Sequence, residues 1–134
     1  MSNDFTATTR DVTVSVRSFF LPDRSRPEEG QYFWAYRVRI ANQGAAPVQL
    51  LKRTWMIIDA AGRTQHVHGE GVIGQTPVIE PGTAFEYTSG TPLGEPSGFM
   101  RGLYHMVDRA SGAAFDVTIP PFSLDSPHQP TGVH

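Results

Sequence analysis

Between Trp55 and Gly82 the chain reads WMIIDAAGRTQHVHGEGVIGQTPVIEPG, and most of its candidate chemistry lies there. Gly69, Gly71 and Gly74 make a G-x-G-x-x-G pattern. Glycines in that pattern let backbone N–H groups approach a pyrophosphate without Cβ clashes, and successive N–H groups can form an anion nest. In a dinucleotide fold the motif follows a strand and opens a helix whose dipole completes the site. Here Gly74 runs into Gln75-Thr76-Pro77, where no helical period starts. The competing reading is a glycine-shaped loop crossing between strands. If phosphate binds, Arg63 or Arg53 is placed to supply charge.

His66, His68 and Glu70 follow at i, i+2 and i+4. On a regular strand such residues project from one face. Two imidazoles and a carboxylate suit Zn²⁺, Co²⁺ or Ni²⁺ and suit Mg²⁺ poorly, since it prefers oxygen ligands. The alternative is an ordinary exposed edge strand with two histidines, so no cofactor is expected, a divalent cation at this set being the one candidate. His105 joins the set only if its strand is adjacent. Arg37 and Arg39 offer an anion-binding pair or, more simply, the wetted face of a sheet.

Catalysis finds little support. Ser89 is not in a nucleophile elbow, because no G-x-S-x-G is present. Glu70, Glu80 and Glu86 are scattered, with nothing to pair them as acid and base. With no Cys there is no disulfide, thiolate metal site or thiol nucleophile. The expectation is a non-enzyme. Protein recognition remains, through loops, an unpaired sheet edge, or an apolar patch of Phe19-Phe20, Phe99 and Phe122. For each phenylalanine taken singly, core packing is the competing role.

The elements that must position these residues are strands. Val12, Val14 and Val16 alternate with polar residues, and Tyr32, Trp34, Tyr36, Val38 and Ile40 share one face of a longer run. Val48 to Asp59 breaks alternation at Leu50-Leu51, predicting a bulge near Lys52. DAAGR is a hairpin turn with Gly62 at positive φ, followed by a short strand from Thr64 to His68. Glu80-Pro81-Gly82 is a tight corner. Further strands start at Phe85 and Phe99, and Phe115, Val117 and Ile119 form the last, stopped by Pro120-Pro121. The pattern predicts an all-β, immunoglobulin or fibronectin type III-like β-sandwich of seven or eight antiparallel strands. Trp55 fits the core Trp of such domains. Tyr104, two residues before Met106, fits their corner Tyr. The expected organisation is a flexible N-terminus over residues 1–10, one domain over 11–124 and a flexible tail over 125–134.

The chain has 134 residues and a formal net charge of -2, which does not favour nucleic acid or an anionic membrane. The start lacks the basic and apolar regions of a signal peptide. No apolar run approaches the roughly twenty residues of a membrane helix. A cytoplasmic protein is expected.

GEGVIGQTPVIEPG, continued by FEYTSGTPL, PSGFMRGLYHMVD and FDVTIPPFSL, resembles the bacterial ApaG family, as do SFFLPDRS and YFWAYRVRIAN upstream. The resemblance spans about Asp11 to Leu124; His66 and His68 lie outside its pattern. It implies a fibronectin-like β-sandwich. The same domain at the C-terminus of some F-box proteins implies a recognition module with a protein partner. The family's label implies a link to cobalt and magnesium efflux. Its gene neighbours, a dinucleoside tetraphosphatase and an RNA dimethyltransferase, state no activity.

Overall fold

The structure is a computed structural model describing residues 4–128. Nine strands order those residues: β1 (Phe5–Thr9), β2 (Val12–Phe20), β3 (Tyr32–Asn42), β4 (Val48–Asp59), β5 (Thr64–Glu70), β6 (Val78–Ile79), β7 (Ala84–Leu93), β8 (Gly98–Asp108) and β9 (Ala114–Leu124). They form two antiparallel sheets. One has the order β1-β2-β3-β7; the other has β5-β4-β8-β9, with β6 also pairing β4. Apolar alternation decides which faces meet. Trp34, Tyr36, Val38 and Ile40 of β3 are buried, while Arg37 and Arg39 between them are exposed. Trp55 packs edge-on against Tyr36 and Tyr104 within this core.

The all-β sandwich expected from the sequence is the fold, with two strands more than a reading of seven. One is the two-residue β6. The other, β1, corrects the expectation of a flexible segment over 1–10. Phe5 to Thr9 pair with Val16 to Val12. The connection is a two-residue hairpin in which Arg10 and Asp11 both have positive φ, 47° and 64°, as a type I′ turn demands. Neither residue is the Asn or Gly that advertises such a turn.

The C-terminal expectation changes likewise. The Trp34 indole N–H donates to the Asp125 carbonyl at 2.8 Å, and the Ser126 hydroxyl donates to the Pro96 carbonyl at 2.6 Å. The His128 ring stands 5.7 Å from that of Phe20 and 6.0 Å from that of Tyr32. Residues 125–128 are therefore tied down; the rest of the expected tail, and residues 1–3, lie outside the described residues.

The last strand also outruns its prolines. Met100 pairs with Phe122 and Gly102 with Ile119, so Arg101 alone faces Pro120 and Pro121. The bulge absorbs the extra residue, and β9 is an edge strand on which missing N–H donors are tolerated. The bulge predicted near Lys52 is present, as a register shift between Leu50 and Lys52. Gly62 and Gly82 have the positive φ their turns require.

Along one flank the sandwich is closed, because the Thr118 N–H of β9 donates to Thr9 Oγ1 of β1 at 3.2 Å. The opposite flank is bordered by β5 and β7, each paired to a single neighbour.

Candidate functional site: a groove between two sheet edges

On that open flank, Gln65, Val67 and Gly69 of β5 pair with Ile57, Trp55 and Arg53 of β4. A Cβ on Gly69 would lie 2.6 Å from Arg53 Nη1, so the absence of a side chain lets the guanidinium lie flat on the strand. Arg53 Nη1 donates to the carbonyls of Glu70 at 3.1 Å and Gly71 at 2.8 Å. Both partners are neutral, and among the described residues Arg53 makes no ion pair. The result is a half-buried cation, fixed in direction and not neutralised.

Arg53 borders a cleft of about 260 Å³ lined also by Tyr36, Trp55, Ile73, Tyr87 and Ser89. Burial raises the Tyr36 phenol, partly offset by a hydrogen bond with Ser89 and by the positive field of Arg53. Burial also pushes up the Tyr87 phenol, against a hydrogen bond from Tyr104. The Tyr87 and Tyr104 hydroxyls meet at 2.5 Å and join the two sheets. This pair replaces the expected tyrosine corner, in which the hydroxyl would reach backbone. The cleft therefore sets neutral hydroxyls around one cation, with Glu70 at its exposed rim and not ion-paired to Arg53.

A second cleft of about 320 Å³ lies on the same flank, lined by Ile57, Asp59, Arg63, Gln65, Pro92 and Leu93. Arg53 and Ile57 are four residues apart on β4, about 13 Å at the rise of an extended strand. The two clefts follow one another along the strands of this flank, and the exposed Val67 of β5, paired with Trp55, stands between them in the ladder.

The glycine loop serves the backbone. The Val72 N–H donates to the Gln75 carbonyl at 2.8 Å and the Gln75 N–H to the Val72 carbonyl at 2.9 Å. Between them Ile73 and Gly74 have φ of 44° and 77°. That is a two-residue hairpin, not the mouth of a helix. The Gly71 N–H is spent on the Leu51 carbonyl, and a Cβ there would lie 2.1 Å from the Gln75 carbonyl oxygen.

Residues 22–108 match the ApaG domain family. The chain is 57% identical to Protein ApaG of Paramagnetospirillum magneticum over 125 residues, 93% of this chain and 95% of that one. It is 57% identical to Protein ApaG of Rhodospirillum centenum over 92% of this chain and 95% of that one. The crystal structure of the putative ApaA protein from Bordetella pertussis superposes with a TM-score of 0.85 at 48% identity, covering 89% of this chain and 96% of that one. The chain belongs to the ApaG family.

Within this ApaG-family fold the predicted site residues separate. Gly69, Gly71 and Arg53 come together, and Gly74 stands at the mouth of the same cleft. Arg63 does not join them. It lies at the far end of the β4–β5 hairpin, bound to Asp59 at 3.0 Å and Glu95 at 2.9 Å. The Asp59 carboxyl is raised by desolvation but held below its usual range by hydrogen bonds from Arg63 and Ala61, so Arg63 is already neutralised.

His66, His68 and Glu70 are exposed on the outer side of edge strand β5. No group of three His, Cys, Asp or Glu among the described residues is arranged to hold a metal ion. His105 belongs to β8, with β4 interposed. His68 Nδ1 instead meets Thr54 Oγ1 at 3.2 Å, Thr54 Oγ1 meets His105 Nε2 at 2.8 Å, and His105 Nδ1 meets Asp116 Oδ1 at 2.7 Å. The hydroxyl–imidazole–carboxylate order resembles a hydrolytic triad. It lies in mid-sheet, however, where backbone N–H groups are committed to ladders and cannot supply an oxyanion hole.

The phenylalanine patch dissolves as well. Phe122 is buried in the core, while Phe19 and Phe99 project from opposite outer faces of the sandwich. Arg39 pairs with Glu86 at 3.3 Å, and Arg37 lies over the Phe19 ring at 5.9 Å.

Sequence reasoning missed Tyr36, Tyr87 and Ser89 as cleft residues. They sit on two strands of the other sheet, and only the stacking of the sheets brings them over Arg53.

Proposed function

We propose that this ApaG-family chain is a non-catalytic recognition module that acts through a protein partner seated on its open flank. The supporting observation is the flank between β5 and β7, two strands with one neighbour each, where two clefts lie along the strands and one holds an arginine that makes no ion pair among the described residues. Unpaired edges are a template for strand addition. The link to cobalt and magnesium homeostasis, taken from the family resemblance, belongs to this reading as a regulatory role carried out through that partner, in the cytoplasm.

A pull-down from the source cells tests it. Val67→Glu on β5 or Thr88→Pro on β7 should release a partner that the unaltered chain retains, while Thr8→Glu on β1 should not. Retention by both flank variants would end the proposal.

A second reading, pyrophosphate or a dinucleoside polyphosphate on the Gly69–Gly74 loop, is favoured by the position of Arg53. Against it, the loop amides of Gly71, Val72 and Gln75 already donate to backbone carbonyls. Titration with pyrophosphate, following backbone amides by NMR, separates the two. Shifts confined to residues 69–75 would support phosphate, and silence would leave the partner reading.

A further inference from the structure

Resting on the recognition reading, we propose that the two clefts act as one groove and take an extended peptide segment of the partner. An acidic side chain of that segment binds Arg53, and an apolar side chain four residues away fills the cleft over Ile57 and Leu93.

Three features carry the assignment. The first is charge. Arg53 is one cation with only carbonyl partners, in a cleft lined also by the hydroxyls of Tyr36, Tyr87 and Ser89 and by Glu70, whose exposed carboxylate makes no ion pair with Arg53. One guanidinium balances one carboxylate, and the fork geometry suits carboxylate recognition. A pyrophosphate would bring two or more uncompensated charges into the same space. Gly69 has no side chain to come between Arg53 and the strand.

The second is length. In an extended segment, residues i and i+4 face the same way about 13 Å apart. That matches the spacing of Arg53 and Ile57 along β4, and hence of the two clefts. The far cleft presents Ile57, Pro92 and Leu93 beside the already neutralised Asp59–Arg63 pair, so its complement is apolar.

The third is the border. β5 and β7 offer backbone groups on both sides of the groove. A strand laid beside β7 continues that sheet and turns alternate side chains onto Arg53 and Leu93.

The probe is an acetylated, amidated heptapeptide with Glu at its second position, Val at its sixth and Thr elsewhere. Its sequence-reversed counterpart and Gln-for-Glu versions of both complete the set. One orientation of the Glu peptide should shift the Arg53 side-chain N–H resonance and amides of β5 and β7, saturably. It should bind about tenfold more tightly than its Gln version, the ratio expected for one charge-assisted pair. Arg53→Gln should erase that ratio. Ser89→Glu, which places a carboxylate in the cleft from within the chain, should abolish Glu-peptide binding while the fold stays intact by Tm. It keeps the test decisive if Arg53→Gln unfolds.

Equal binding of the Glu and Gln peptides, shifts mapping to β1 and β9, or no binding by any peptide would overturn the proposal. So would pyrophosphate moving the Arg53 resonance at lower concentration than the Glu peptide. If the peptides fail but Val67→Glu still releases a captured partner, recognition at the flank stands and its carboxylate chemistry does not.

Discussion

Single residues in the glycine loop do different work, and substitution can separate them. Gly74 has a φ of 77° with open space where a Cβ would go. Alanine there pays only for the left-handed backbone, about 1–2 kcal/mol. Gly71 combines a φ of 62° with a Cβ position 2.1 Å from the Gln75 carbonyl oxygen. Strain and overlap together predict a loss of about 3 kcal/mol or more for Gly71→Ala. Gly69 has no positive φ but faces Arg53, so Gly69→Ala should displace the guanidinium while costing less than Gly71→Ala. Urea unfolding of the three variants gives the order, and an equal loss at Gly71 and Gly74 would refute it. The spacing of these glycines was legible in the sequence, but their reason was not. A G-x-G-x-x-G string is blind to whether the next turn is a helix or a two-residue hairpin. Here Ile73, a β-branched residue at positive φ, carries half of that hairpin. Arg53 and Arg63 looked equivalent as charge donors, because only coordinates reveal that Asp59 and Glu95 neutralise the second.

Elements were legible wherever apolar alternation was strong, as in β2, β3 and β4, and where a bulge left a doubled leucine. They were obscure where the inward residues are small or where prolines interrupt. β1 reads FTATT, with Phe5 as its single large apolar residue, and its turn lacks glycine. β9 continues past two prolines only because a bulge opposite Arg101 and an edge position make their missing donors harmless. Phe5 tests whether β1 belongs to the fold. It is partly buried and packs on the core cluster, so Phe5→Ala should cost about 1–2 kcal/mol, a Tm fall of roughly 3–8 °C at this size. The exposed Thr6→Ala should cost a few tenths at most. An unchanged Tm for Phe5→Ala would mean that β1 frays in solution.

At the scale of the whole molecule, two sheets are held face to face with a polar contact in the middle. The Tyr87–Tyr104 hydroxyl pair is buried at the sheet interface. Removing one hydroxyl leaves the other without its partner, so Tyr87→Phe and Tyr104→Phe should each cost about 1–3 kcal/mol, and the double variant less than their sum. Burial also links this pair to pH. Desolvation raises the phenols of Tyr36, Tyr87 and Tyr104 above the ordinary value of 10.0. In the unfolded chain they ionise near that value. Above it the native state binds more protons than the unfolded state, so stability falls as pH rises. The contribution is fully present below about pH 10 and is lost progressively as pH rises towards the folded values. The slope approaches about 1.4 kcal/mol per pH unit for each phenol that stays protonated. Urea midpoints between pH 8 and 11.5 should therefore be level at first and then drop. In the Tyr87→Phe/Tyr104→Phe variant the drop should shrink to the share of Tyr36. An occupant carboxylate on Arg53 would neutralise the one positive field that favours ionised phenols in the native state. The alkaline transition should then sharpen in the presence of the Glu heptapeptide and stay unchanged with its Gln version, a readout of the same groove made from the stability of the entire fold.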